Sequence, residues 1–370
     1  MVRRWRWLVV LLSAAVLVAL PTVSGLLHPQ LAGPMPAALL LERIDGTATT
    51  PYSGYASATG GLALPPSGQW ESVVRMLRGT TRMRVWFRSA RDWRVDSVTA
   101  TGEVGQHRTA VGLWTWDYEH NRATLETGGP GEDPAVRLPA AADLLPPALA
   151  HRLLSGARPS EVSSLASRWV AGREAQGLRL RPSDPRSTIG RVDVWADRAS
   201  GIPLQVEVVA AAGGVGAPVM VADFTDFSTR TPTARETAFA PAAAVRVSGR
   251  SRPDLVAMVS RFADASGPVV LAGLPRNLAV AGSSGVPVYG RGVTELVAVP
   301  LWPEQAVGLR RELSRAPGTT STAGGLALSV GPVGLLLTAP DEDADAWLLT
   351  GTVTPATMAT AAEELRRAGR

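Results

Sequence analysis

No cysteine occurs in the 370 residues. That excludes a disulfide framework, a thiolate metal site, a cysteine nucleophile and lipid attachment through a thiol. Lysine is missing too, so all 37 basic residues are arginine, in a chain with 37 glycines and 29 prolines. This composition reads as a high-GC coding bias, and the basic character of the chain says little about partners. The net charge is +5, with three units from Arg3, Arg4 and Arg6 and no dense basic run after them. A nucleic-acid partner is excluded on that ground.

The recurrent catalytic patterns are missing as well. His28, His107, His120 and His151 show no metal-ligand spacing. No Gly-x-Ser-x-Gly elbow occurs, and Ser283-Ser284 reads as a flexible turn. Gly213 to Pro218, GGVGAP, lacks the third glycine and the lysine of a phosphate loop. The acidic run Asp341, Glu342, Asp343, Asp345 lacks the glycine and the terminal glutamate of a calcium loop and reads as a solvated turn. Asp223 and Asp226 are conceivable as a carboxylate dyad, but on a surface strand they read as solvent-facing positions. No catalytic residue, metal or cofactor is expected, and the chain reads as a non-enzymatic protein.

What is present begins at the N-terminus. MVRRWRW is a basic start, Leu8 to Leu20 is a run of thirteen residues that is apolar apart from Ser13, and PTVSG follows. Residues 1–27 read as a secretory signal cleaved near Ser24 or Gly25, or as an uncleaved membrane anchor. Either reading places the rest of the chain outside the cytoplasm, in the periplasm or on the outer face of the cytoplasmic membrane.

Residues 34–44 read as a helix, and Tyr-, Ser- and Thr-rich alternation over 51–65 as a strand. Residues 70–79 suggest a short helix closed by Gly79. Two strands follow in TTRMRVWFRSARDWRVDSVTATGE (80–103), and another hairpin in 110–127 with its turn at His120-Asn121. After a Pro- and Gly-rich loop (128–139), residues 142–156 contain a helix with Leu149, Leu153 and Leu154 on one side. Four more short strands and a last one at 220–229 bring the number to nine or ten. In DRASGIPLQ, Ser200-Gly201 turns the chain and Pro203 opens the returning strand, where a missing donor is tolerated. Beyond Arg250 a helix over 252–265 leads to a second pattern of strands and helices. Its last helix has Pro355 at the first position and Glu363, Glu364, Arg366 and Arg367 on its polar face.

Aromatic residues are only 5% of the chain, yet eleven are tryptophan against five phenylalanines. Trp86, Trp93, Trp114, Trp116, Trp169 and Trp195 all fall in expected strands. Met83, Val85 and Phe87 share one strand face, with Arg82, Arg84, Trp86 and Arg88 on the other; Trp93 and Val95 oppose Arg94 and Asp96. Such faces are either ordinary core or the wall of a pocket for an acyl chain. Met83, Val85, Phe87, Trp93, Val95, Trp114 and Trp116 are the candidate ligand-binding residues of a hydrophobic cavity. A one-residue change of register would reverse the set.

In this order, PYSGYASATG, TTRMRVWFRSARDWRVDSVTATGE, GLWTWDYEHNRATLE, VDVWADRASGIPLQVEV and MVADFTDFS resemble the LolA/RseB-like proteins of the bacterial envelope. Val194 to Leu204 matches the family's hairpin, and the likeness runs from Ala37 to about Pro241. LPRNL, PVYGRGVTELVAVPLW and AWLLTGTVTPATMATAAEEL look like the smaller C-terminal domain of the two-domain RseB (MucB) kind, which the simple carriers lack. The resemblance implies an α+β fold: a large curved antiparallel sheet, an unclosed β-barrel with covering helices over 34–242, then a smaller α+β domain over 252–370 with a leading linker helix. It also implies an acyl-chain-bearing lipid or lipopeptide as ligand and an anti-sigma factor in the membrane as partner, in the sensing of envelope state. The alternative it leaves open is a LolA-like carrier of lipids or lipoproteins.

Overall fold

The computed structural model describes residues 31, 33–60, 79–98, 102–127, 140–212, 216–241, 246–251, 267–277, 286–339 and 346–368. The N-terminal apolar run, the helices expected from Trp70 and from Arg252, the loop 128–139, the Ser283-Ser284 turn and the acidic run from Asp341 lie outside them.

Alternating apolar and polar residues make most of the chain strand. β1 (Tyr52–Gly60), β2 (Thr80–Ser89), β3 (Asp92–Val98), β4 (Glu103–Thr109), β5 (Gly112–Asp117) and β6 (Arg122–Thr127) form one antiparallel meander. β7 (Val162–Val170), β8 (Arg173–Leu180), β9 (Ile189–Asp197), β10 (Pro203–Ala210) and β11 (Met220–Ser228) form a second. β1 pairs with β11, which joins the two meanders through the first and last of these strands. β12 (Arg246–Ser251) adds to the outer side of β6 in parallel. The spatial order is β12-β6-β5-β4-β3-β2-β1-β11-β10-β9-β8-β7, and the terminal strands do not pair with each other, so the sheet is unclosed.

Glycine is needed both at the β9–β10 turn and inside β1. The β9–β10 hairpin turns at Gly201 with φ of 80°, a conformation that costs glycine little and other residues more. A Cβ on Gly54 would lie 2.3 Å from the Asp226 carbonyl oxygen, where β11 bulges against β1. That bulge also places Phe224 and Phe227, three residues apart, on the same side of the sheet. Without the extra residue, period-two alternation would send them to opposite faces.

The second sheet has six antiparallel strands: β15 (Val288–Arg291), β16 (Thr294–Leu301), β20 (Ala346–Gly351), β19 (Val333–Thr338), β18 (Gly325–Val330) and β17 (Thr320–Thr322), in that spatial order. A small ladder of β13 (Val270–Leu271) and β14 (Leu274–Pro275) stands beside it. Helix α3 (Pro303–Arg315) buries Ala306 and Leu313, and α4 (Pro355–Ala368) buries Met358, Ala361, Ala362 and Leu365. α4 starts at Pro355, as the sequence predicts, and Glu364 accepts a hydrogen bond from the Ala272 N–H at 2.7 Å.

Two strands depart from expectation. β4 and β12 are short and polar, with too little apolar periodicity to be read, and they bring the large sheet to twelve strands instead of nine or ten. β12 also carries that sheet to Ser251, past the expected boundary at 242. Among the described residues no helix is long and apolar enough to cross a membrane.

Candidate ligand-binding face

One face of the large sheet is apolar from β3 across to β8. Tyr52, Met83, Val85, Val95, Phe224, Val206, Val194 and Leu178 all belong to its core. Tyr52 stacks on Phe87 with ring centroids 5.1 Å apart, and Phe224 meets Phe227 at 5.1 Å. Burial pushes the Tyr52 phenol above its ordinary pKa.

Two nine-residue helices pack on this face, α1 (Ala37–Asp45) chiefly on β7 and β8 and α2 (Pro146–Leu154) chiefly on β10 and β11. The helical turn Ala141–Leu144 ahead of α2 reaches β3 and buries Leu144. Leu40, Leu41 and Ile44 of α1, and Leu149, Ala150 and Leu154 of α2, project into the same core. Prolines at the start of α2 sit where the backbone donors would be unpaired anyway. A few polar ties hold the covers in place. His151 Nε2 lies 2.9 Å from the Ile44 carbonyl, so it carries the proton and joins α2 to the end of α1. Arg43 donates to the Arg198 and Ala199 carbonyls at 3.1 and 3.0 Å, on the β9–β10 turn. Ahead of α1, the Met35 N–H donates to Gln176 Oε1 at 2.8 Å.

The register divides the seven candidate residues. Val85 pairs with Val95 and Phe87 with Trp93, and Met83 is two residues from Val85, so these five share the helix-covered face. Met83, Val85 and Val95 are each 1% exposed, with Phe87 and Trp93 packed against the same core. Trp114 pairs with His107, His107 with Arg94, and Arg94 with Trp86, which puts Trp114 on the opposite face; Trp116, across from Gly105 and Asp96, is there too. The expectation of a single wall of seven is therefore corrected to five and two. β5 places its aromatics at alternate positions, but alternation alone does not say which set faces the helices.

Trp114 and Trp116 meet a strap that follows β11. Phe239 lies 5.3 and 5.8 Å from their rings and 4.7 Å from His107. A single helical turn, Ala234–Thr237, precedes it, and the Thr237 carbonyl lies 3.3 Å from His107 Nδ1. His107 is 2% exposed. Burial lowers its pKa and Arg94 adds to that, while the Thr237 carbonyl and Asp96 act the other way.

Beyond β3 the helix-covered face becomes polar. Val95 is followed across the strands by Gln106, Thr115, Thr124 and Ser248, and the next row reads Ser97, Val104, Asp117, Arg122 and Arg246. An open cavity of ≈ 470 Å³ lies over Thr115, Asp117, Arg122, Thr124, Arg246 and Ser248.

A second cleft, of ≈ 530 Å³, lies where the two sheets meet, between Leu153, Leu180 and Pro182 on one side and Leu274, Pro275 and Val293 on the other. At its edge Arg291 donates to both Glu161 oxygens at 2.8 and 2.9 Å, and Ser183 donates twice more to the same carboxylate. Arg291 foremost, then Ser183 and the Arg158 N–H, hold the Glu161 carboxyl well below the usual carboxylate range against the opposing effect of burial. Backbone pairing continues the seam: Thr188 N–H donates to Thr352 at 3.0 Å and Thr354 N–H to Arg186 at 2.8 Å.

No protein-family model matches the chain, and no curated protein matches it. Among solved structures it is similar to the MucA/MucB complex of Pseudomonas aeruginosa, at 15% identity and TM-score 0.47, over 89% of this chain and 97% of that one. It is similar also to a LolA superfamily protein from Nitrosomonas europaea (12% identity, TM-score 0.22, 55% of this chain and 98% of that one). A third is LprF from Mycobacterium bovis (10% identity, TM-score 0.29, 55% and 99%). The unclosed sheet with covering helices and a smaller second sheet is the fold that the sequence resemblance implies.

Sequence reading missed Tyr52, Phe224 and Phe227 as members of the covered face. The clue for Tyr52 is its alternation with Ala56 and Ala58; for the two phenylalanines, their spacing of three marks a bulge. The Glu161–Arg291 pair, 130 residues apart, leaves no local signal.

Proposed function

We propose that the chain is a non-enzymatic, extracytoplasmic protein of the RseB-like kind that takes an acyl-chain-bearing lipid or lipopeptide against its helix-covered face. One observation carries the reading: an apolar face on an unclosed sheet is kept dry by two short helices, α1 and α2, tied down by a few polar contacts.

The energetics favour an exchange. At roughly 25 cal/mol per Å², an acyl chain burying about 400 Å² would gain about 10 kcal/mol. Lifting α1 and α2 exposes Leu40, Leu41, Ile44, Leu149 and Leu154, each worth about 1.5–3 kcal/mol. The two are of similar size, so the ligand replaces the covers at little net cost. A near-balanced pair of states is what a ligand needs in order to shift a population. A displaced α1 also frees the β9–β10 turn, which changes the surface offered to a protein partner. The RseB-like resemblance makes that partner an anti-sigma factor in the membrane. The second sheet, joined to the first by a backbone seam, favours this reading over a LolA-like carrier, a kind that lacks such a domain.

The test is titration of the delipidated chain with a fluorescent fatty acid, followed by hydrogen exchange. One-to-one binding with loss of protection in Ala37–Asp45 is expected. No saturable binding, or binding that leaves the exchange of α1 and α2 unchanged, would overturn the reading.

A further inference from the structure

We infer that the polar end of the covered face is a headgroup site for a phosphate-type anion, held by Arg122 and Arg246 and flanked by Thr115, Thr124 and Ser248. The inference rests on the acyl-binding reading above and adds the charge of the ligand's head.

Arg122 and Arg246 are register partners on adjacent parallel strands, so their guanidinium groups stand side by side on one face. Like charges placed directly across from each other repel and destabilise the pairing unless an anion sits between them. Asp117 completes the row beside Arg122; against the opposing effect of burial, the His120 contacts and then the Arg122 charge hold its carboxyl below the usual carboxylate range. The same carboxylate accepts from the His120 N–H at 3.1 Å and lies 2.8 Å from its Nδ1. One carboxylate thus faces two guanidinium groups, and a net positive charge remains. Arg246 reaches the His120 carbonyl at 3.0 Å through one nitrogen, which leaves its other donors for a ligand. One row away, Thr115, Thr124 and Ser248 present three hydroxyls in line, with Thr124 and Ser248 3.2 Å apart. All of these groups line the ≈ 470 Å³ cavity. Two guanidinium groups and a line of hydroxyl donors match the oxygens of a phosphate.

The position matters as much as the composition. Val85, Val95, Gln106, Thr115, Thr124 and Ser248 form one continuous cross-strand row. With strands about 4.8 Å apart, Thr124 stands about 14 Å from Val95. A single amphiphile therefore spans the row, its chain against β1 to β3 and its charged head over β5, β6 and β12. The same anion chemistry is also offered by a soluble phosphate, and the lipid headgroup is favoured because the site continues the apolar face.

The test uses the full chain and three ligands: a lysophosphatidylglycerol below its micelle concentration, the monoacylglycerol with the same chain, and glycerol 3-phosphate alone. At low salt the anionic lipid is expected to bind about fivefold to tenfold tighter than the neutral one, as suits two exposed charges. The advantage should vanish in Arg122→Gln/Arg246→Gln and in high salt, with neutral binding unchanged, and survive in Arg122→Lys/Arg246→Lys. Loss of folding cannot mimic that pattern. Equal binding of the two lipids by the wild type, or an advantage that persists in the glutamine variant, overturns the headgroup site alone. Glycerol 3-phosphate binding as tightly as the anionic lipid reassigns the site to soluble phosphate and overturns it too. Failure of both lipids to bind removes the acyl-binding reading and the headgroup site with it.

Discussion

The two halves of the large sheet share a backbone and differ in what covers them. From β3 to β8 the inner face is a dry core under α1, α2 and the Ala141–Leu144 turn, with Met83, Val85, Val95 and Leu178 at 1% exposure or less. From β4 to β12 the same face carries Gln106, Thr115, Thr124, Arg122 and Arg246 around an open cavity. There the aromatic side chains lie on the other face, under the Phe239 strap. One continuous ladder thus holds an apolar end and a polar end, which is the division an amphiphile presents.

The sharpest way to break this comparison is to truncate one phenylalanine in each half. Phe224→Ala, in the dry half, is expected to cost about 3–5 kcal/mol in urea unfolding. Phe239→Ala is expected to cost only about 1–2 kcal/mol, because its ring is half-buried and packs on Trp114, Trp116 and His107 from outside the sheet. Equal costs would show that the strap is as much core as the helices are.

A smaller effect comes from His107. Its folded pKa lies below the ordinary value, so in the folded chain the ring stays neutral where the unfolded chain would already take a proton. Its contribution to stability is complete above about pH 6.5 and is lost as pH falls toward the folded value. Melting curves from pH 7.5 to 5 should show this loss, and His107→Gln should flatten it. An unchanged slope in that variant would mean that the Arg94, Asp96 and Thr237 surroundings of the ring do not govern the strap.

Smallest of all is Thr124→Val, on the polar face, expected to change stability by no more than about 0.5 kcal/mol. A larger loss, read by thermal unfolding, would make the hydroxyl row part of the core instead of a free wall.

The alternation over 80–98 makes β2 and β3 legible, and the Asp197-to-Pro203 turn makes the β9–β10 hairpin legible, because period and turn chemistry are local. The helix at Pro355 is legible for the same reason. β4 and β12 are not: EVGQHRT and RVSGRS are polar and acquire strand character from their neighbours' ladders. Of the candidate site, Met83, Val85, Phe87, Trp93 and Val95 fall together on the covered face. Trp114 and Trp116 fall on the other, since each added strand carries its own choice of phase and β5 makes that choice by pairing with β4.

By itself the sequence determined where the strands with apolar alternation and the helix at Pro355 form, and which side chains share a face within each such strand, because those follow from near-neighbour geometry and side-chain chemistry. Only the tertiary structure decided which faces point the same way across twelve strands, that a bulge brings Phe224 and Phe227 together, and that Arg122 and Arg246 stand side by side. Such choices are made by hydrogen-bonded register between segments far apart in the chain. A single residue's shift there exchanges one face for the other while leaving every local pattern intact.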